Sequence, residues 1–178
     1  MEPAQRDDEI FDVVDVLDRV ISQATRREVH DQGLLHRAVH ILILNSSGEV
    51  FLQKRSMAKD THPDCWASSA SGHLDAGEDY LSAAIRECKE ELGVSFQEFE
   101  FLFKITPSTA NGWEFVEVYQ GLHEGPFSLN PAEISEGQWY STEAICSLVR
   151  EQPQSFASSF IEVWRKFNEG FEAKGTCA

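Results

Sequence analysis

Residues 72–94 read GHLDAGEDYLSAAIRECKEELGV, and the spacing of glycine and charge within them constrains the rest of the chain. Gly72 is followed by Glu78, then by Arg86-Glu87, Glu90-Glu91 and Gly93-Val94. From Glu78 to Leu92 the apolar residues Leu81, Ala84, Ile85, Cys88 and Leu92 recur at helical spacings, which predicts one amphipathic helix. Glu87, Glu90 and Glu91 fall on a second stripe, so three carboxylates gather on one face. Like charges so placed repel by roughly 0.2–0.5 kcal/mol per pair. A divalent cation turns that repulsion into ligation, and hard ions such as Mg2+ prefer oxygen donors. Arg86, four residues before Glu90, is placed to pair with it and orient a carboxylate. Gly93 is suited to end the helix in a left-handed cap. A lone Glu-Glu pair reads most simply as a solvated acidic face; the full spaced set argues for a site.

Around this segment the chain alternates short strands and helices. Ile10 to Val14 and Val20 to Ala24 flank a polar turn and predict a hairpin, and Thr25 to Asp31 a short helix or turn ending near Gly33. Ala38 to Leu44 reads as a buried strand, with Val50 to Arg55 its partner across the Asn45–Gly48 turn. A long loop, SMAKDTHPDCWASSAS, leads into the helix. Beyond it, Glu98 to Thr106 and Trp113 to Tyr119 predict paired strands, and Gly137 to Tyr140 a last strand. Ser141 caps a helix to Val149, and after Pro153 an amphipathic helix is expected over 155–169. Residues 1–8 are expected to be a disordered tail and 9–178 one domain, with a hairpin region over 9–33. This order of elements predicts an α/β sandwich, a mixed sheet between helical layers.

Composition narrows the function. With 15 basic and 30 acidic residues the net charge is -15, so the chain lacks the basic footprint that nucleic acid requires. A small anionic substrate fits only if a metal and a few placed cations neutralise it locally. Arg55 and Lys59, which follow Gln53 and Lys54, are the candidates for diphosphate oxygens. Trp66 is a candidate for stacking on a substrate moiety, packing into the core being the alternative. Cys65, Cys88, Cys146 and Cys177 lack CxxC spacing, which points to a reduced, cytoplasmic setting. The acidic N-terminus shows no apolar signal segment, and no run approaches the ~18 apolar residues that would span a bilayer.

At every fixed polar and glycine position, residues 72–94 resemble the Nudix box, G-x5-E-x7-R-E-U-x-E-E-x-G-U with U aliphatic; the one departure is Cys88 at the first U. The resemblance implies an α/β/α Nudix fold over at least residues 36–150. It also implies a metal-dependent pyrophosphohydrolase acting on a diphosphate linked to a moiety X. Glu87, Glu90, Glu91 and the Gly72 carbonyl would hold Mg2+ or Mn2+. Glu87 would serve as base, with Glu117 second in line, and Arg86 would orient the glutamates. Glu78 and Gly93 would brace the helix ends.

His30, His36 and His73, with LLHRAVHILILN and the following GEVFLQKRS, resemble the branch that includes type I isopentenyl-diphosphate isomerase. In that branch three histidines hold a divalent metal together with acidic residues. Glu117 falls where the isomerase carries its second strand glutamate, whereas Phe115 matches the first, with Glu114 displaced by one. The isomerase chemistry needs a cysteine before Gly-His; here Ser71 stands there, and a hydroxyl is a poorer acid-base partner. An isomerase is therefore the alternative to hydrolysis, and a non-catalytic nucleotide-binding module a second one. A homodimer is expected to use the hairpin or the aromatic C-terminal helix.

Overall fold

The computed structural model describes residues 6–172. Strands β1 (Ile10–Val14) and β2 (Val20–Thr25) form a separate antiparallel hairpin, followed by helix α1 (Arg26–Gln32). Thr25 caps α1 through a box with Glu28, and Gly33 ends it at φ 62°, in the left-handed region. The main sheet contains β3 (His36–Leu44), β4 (Val50–Arg55), β5 (Trp66–Ala67), β6 (Ala70–His73), β7 (Glu100–Ile105), β8 (Glu114–Leu122) and β9 (Ile134–Tyr140). β3 and β8 run parallel from His36↔Glu114 to Leu44↔Leu122, whereas the other pairings are antiparallel. The sheet is therefore mixed, as expected.

β3 forms the middle of the sheet because HRAVHILIL is almost wholly buried, a run that only a strand covered on both faces can accommodate. One face carries Leu42, Leu52, Val116 and Val118 against helices α3 (Thr142–Glu151) and α4 (Ser158–Glu172). The other carries Val39, Ile41, Ile43 and Tyr119 against helix α2 (Tyr80–Leu92). The result is the α/β/α sandwich.

One edge of β3 is shared. β4 pairs with its end at Ile43 and Leu44, and β6 takes over from Ala38 to Ile41. The sheet splits between β4 and β6, and the functional side chains collect beside that split. The loop expected over residues 56–71 thus closes on two short strands. The last helix begins at Ser158 rather than 155, because Pro153–Ser155 form a 3-10 turn and Phe156 is extended. Of the expected tail, residues 1–5 lie outside the described residues, and Asp7 in the 6–8 turn pairs with Arg27.

Helix α2 is rotated relative to its expected apolar stripe. Asp79, not Glu78, is the N-cap. Leu81 is 40% exposed, while Ala83, Ala84, Cys88 and Leu92 face the core beside buried Glu87 and Glu91. The rotation is permitted by Gly72 on β6, whose missing side chain leaves room for the Glu87 carboxylate. Phe160, Val163, Trp164 and Phe167 of α4 are buried, whereas the hairpin, the other surface expected to serve a homodimer, leaves Val16, Leu17 and Ile21 exposed. Among the described residues no helix is long and apolar enough to cross a membrane.

Candidate active site

A cavity of about 920 Å³ opens between α1, β6, α2 and the chain on either side of them. At one end lie the carboxylates of α2. Glu91 bridges the split in the sheet: its Oε2 accepts from Gln53 Nε2 on β4 at 2.8 Å and from the Ser71 amide on β6 at 3.1 Å. Burial raises its pKa to about 7; Glu133 adds to the rise, while Lys59, the Ser71 amide and Gln53 oppose it. Burial and the neighbouring charge of Glu91 push Glu87 well above the usual carboxylate range, against the pull of Arg86. Glu90 remains more than half exposed.

Arg86 ties this end together. Its guanidinium donates to both oxygens of Glu78 at 3.0 and 2.9 Å, to Glu87 at 2.8 Å, to Glu90 at 3.2 Å and to the His73 carbonyl at 2.9 Å. Glu78 in turn accepts from the Asp75 amide, so it braces the entry to the helix. Gly93 closes the helix at φ 69°. The donor set of this end, carboxylate oxygens in a confined space with too little positive charge, fits a hard divalent ion.

At the other end the three histidines meet. His30, His36 and His73 each offer a ring nitrogen within 4.8 Å of the others. Phe11 of the hairpin covers them, stacking on His73 at 4.8 Å. His36 donates from Nδ1 to the Leu34 carbonyl at 2.9 Å, and its Nε2 is buried and without a hydrogen-bond partner. Orphaned buried polar atoms are uncommon, and this one faces Glu114 Oε1 at 3.6 Å, while His73 Nε2 lies 3.0 Å from the same oxygen. Burial opposes ionisation of Glu114, but the two rings outweigh it and hold the carboxyl far below its usual range. Burial likewise lowers His73 to about 4, so the ring is neutral and able to donate a lone pair. Imidazoles with a carboxylate suit a borderline divalent ion.

Cations line the wall between the two ends. Arg55 donates to the Thr61 carbonyl at 3.0 Å, and Lys59 pairs with Glu133. Both line the cavity, as their place in the sequence suggests. Arg26 is only 5% exposed, yet its two contacts, to His73 Nδ1 and Asp60, are long at 3.4 and 3.5 Å.

Two expected site residues lie elsewhere. Glu117 is three residues from Glu114, so strand alternation turns it to the other face, the one that α2 covers, in register with Val39 but outside the cavity lining. There it accepts from Lys104 Nζ at 3.2 Å and from the Tyr119 hydroxyl at 2.5 Å. Glu114, paired in register with His36, is the strand glutamate that reaches the histidines. Trp66 is also absent from the cavity lining. It packs edge-on against Tyr140 at 5.4 Å, with its carbonyl accepting from the Ala157 amide.

Arg26, Trp113, Glu114 and Glu133 line the cavity but were not singled out as site residues from the sequence. Arg26 had a legible signal, since it precedes His30 by one helical turn. Glu133 had none.

The chain matches the NUDIX domain over residues 34–162. An uncharacterized Nudix hydrolase of Yersinia pestis is 35% identical over 141 residues, 77% of this chain and 75% of the relative. The isopentenyl-diphosphate Delta-isomerase of Serratia proteamaculans is 32% identical over 162 residues, 89% of this chain and 90% of the relative. Among solved structures, a protein of Deinococcus radiodurans superposes with a TM-score of 0.79 at 26% identity, covering 89% of this chain and 98% of its own.

Proposed function

This chain belongs to the NUDIX domain family and is a Nudix hydrolase, and from that premise we propose that it cleaves a diphosphate linked to a second moiety by water attack on phosphorus, with Mg2+ or Mn2+. The observation that carries the proposal is the buried Glu87–Glu91 pair, two carboxylates raised by burial at the wall of a cavity that also holds Arg26, Arg55 and Lys59.

Glu87, Glu90, Glu91 and the Gly72 carbonyl are the residues that would hold the metal. When bound, it would neutralise the diphosphate and lower the pKa of the attacking water. Glu87 takes the water proton as the new P–O bond forms and the bridging P–O bond breaks, the departing phosphate leaving with that oxygen. Its position beside β6, fixed by Arg86, supports this role better than that of Glu117, which does not line the cavity and is tied to Lys104 and Tyr119. Arg86 holds the glutamates apart and in register. Arg55, Lys59 and the under-used guanidinium of Arg26 bind the phosphate oxygens, where planar forks and point charges both serve. Glu78 and Gly93 hold the helix ends.

A second reading has an observation of its own. The cluster of His30, His36, His73 and Glu114 is a coherent donor set for a further divalent ion, and a relative named as an isomerase matches most of the chain. Ser71 in place of a thiol and the complete Arg86-Glu87 and Glu90-Glu91 pairs favour hydrolysis.

The test is release of phosphate products with Mg2+, Mn2+ or EDTA, across nucleotide sugars, dinucleoside polyphosphates, nucleoside di- and triphosphates, coenzyme A, NADH and isopentenyl diphosphate. Metal-dependent cleavage is expected for a member of the panel and names the moiety. Allylic isomerisation of isopentenyl diphosphate without cleavage would overturn hydrolysis.

A further inference from the structure

The matched NUDIX domain begins at residue 34, so the β1–β2 hairpin lies ahead of it. The hairpin nevertheless reaches the carboxylate helix, through the turn that precedes it. Asp75 to Glu78 form a β-turn. The Glu78 amide donates to the Asp75 carbonyl at 3.0 Å, and Gly77 stands at φ 81°, the left-handed angle that the third position of a type II turn requires. The two central amides of such a turn have no partner within it and take acceptors from elsewhere. β1 supplies both. The Ala76 amide donates to the Ile10 carbonyl at 2.9 Å, and the Gly77 amide to Asp12 Oδ2 at 2.8 Å.

Asp12 is itself held. It is 6% exposed, stands opposite Gln23 in the hairpin and accepts from Gln23 Nε2 at 3.0 Å through its other oxygen. Hydrogen bonds to a charged acceptor are the stronger kind, and a buried carboxylate needs them. What the turn places is Glu78, whose carboxylate accepts from the Asp75 amide and from Nε and Nη2 of Arg86. Arg86 in turn holds Glu87 and Glu90. The neighbouring residue on β1 supports the same arginine by another route: Phe11 packs on the His73 ring, and the His73 carbonyl accepts from Arg86 at 2.9 Å.

We propose that Asp12 is a positioning residue of the carboxylate site. It fixes the Asp75–Glu78 turn, and with it the place of Arg86 and of the two glutamates that Arg86 holds toward the metal. Asp12 does not line the cavity, so it acts through these neighbours and not on substrate. The role rests on the hydrolase reading for the use of the site, and it brings to that site a residue from outside the matched domain.

The experiment has one readout without metal and one with it. In the metal-free, isotope-labelled protein, the Arg86 Nε–H resonance and its exchange with water report the bond to Glu78. Mg2+, which prefers oxygen donors, is then titrated into the same samples. Asp12→Ala is expected to shift the resonance, speed its exchange and weaken Mg2+ binding about tenfold or more. Asp12→Asn, whose amide oxygen still accepts from Gly77, is expected to restore the resonance and to bring Mg2+ affinity within about threefold of wild type. Val13→Ala is the control. It removes buried packing from the same strand, leaves both bonds to the turn, and is expected to lower stability with the Arg86 signal and Mg2+ affinity unchanged. The proposal is overturned by an unchanged Arg86 resonance or Mg2+ affinity in Asp12→Ala, by the same losses in Asp12→Asn, or by equal losses in Val13→Ala. Wild-type protein that bound no Mg2+ would count against the hydrolase reading, while the metal-free Arg86 signal would still decide the role of Asp12. Should Asp12→Ala not fold, Asp12→Glu, which keeps the charge and displaces the acceptor, takes its place with the same expected changes.

Discussion

Gly72 and Glu87 fill one space: a Cβ built on Gly72 would come within 2.0 Å of Glu87 Oε1. The glycine is not needed for its backbone angle, because residue 72 lies in an ordinary strand, β6, paired with Val39. It is needed because the carboxylate occupies the position of its side chain, and Arg86 holds that carboxylate in place at 2.8 Å. Gly72→Ala is therefore expected to displace Glu87. Stability should fall by about 1–3 kcal/mol, the scale of overpacking, and phosphate release should fall with it. Urea denaturation and a product assay on the same preparation check this. Wild-type values in both would mean that Glu87 can move at no cost and is not positioned by β6.

Glu91→Gln separates charge from hydrogen bonding. The amide oxygen still accepts from Gln53 and the Ser71 amide, so the split between β4 and β6 keeps its bridge. The variant loses one of two buried like charges, however. Hydrolysis is expected to drop by about 100-fold or more, while the metal-free protein becomes more stable than the wild type. A variant that is both fully active and no more stable would remove Glu91 from the site.

The same pair predicts the pH dependence of stability. Both carboxyls have folded pKa values raised above the ordinary value of 4.5 (Glu91 to about 7), so the folded state binds more protons than the unfolded one. Their contribution is fully present below about pH 4.5 and is lost as pH rises toward 7. In EDTA, wild type should lose on the order of 2 kcal/mol more than Glu91→Gln between pH 5 and pH 8. Mg2+ should restore the difference at pH 8. Parallel stability curves for the two proteins, measured by urea titration at each pH, would contradict the buried ionisable pair.

The box helix was legible because its information is local. Carboxylates at helical spacing share a face whatever the rest of the chain does, and Asp79 and Gly93 punctuate that helix within its own sequence. The rotation of the helix was not legible, since it depends on the empty space at Gly72 across the interface. Glu114 and Glu117 illustrate the same limit. Either could serve from its position in sequence, and only the parallel register of β8 against β3, joining segments more than 70 residues apart, assigns Glu114 to His36. Likewise, the backbone tie from Ala157 to Trp66 fixes which tryptophan is packed and leaves Trp113 at the cavity.

The histidine cluster should bind metal separately from the carboxylates. His36 Nε2 is buried without a hydrogen-bond partner and faces Glu114 Oε1 at 3.6 Å, so a Co2+ titration is expected to give a visible absorption band. His36→Gln should abolish the band and Glu114→Gln should weaken Co2+ binding about 10- to 100-fold. Mg2+ binding at the carboxylate end should be unaffected by either change. An unaltered Co2+ spectrum in both variants would leave the three rings and Phe11 as packing alone.

Glu117 provides the converse test, because it was expected at the site and does not line the cavity. It joins Lys104 to the Tyr119 hydroxyl, and Lys104 also pairs with Asp18 at the turn of the hairpin. The role this geometry gives it is to fasten the hairpin, through Lys104, to the α2 face of the sheet outside the cavity lining. Glu117→Gln is accordingly expected to keep kcat/KM within about twofold and to cost about 1 kcal/mol of stability, the scale for a partly buried ion pair and its hydrogen bonds. Because the hairpin also carries Phe11 onto His73, a Glu117 variant that loosened the hairpin enough to change catalysis would do so through Co2+ binding as well. Product release and the Co2+ titration, measured together, distinguish the cases. Loss of hydrolysis with the Co2+ band intact would return Glu117 to the reacting centre and overturn its assignment as a fastening for the hairpin.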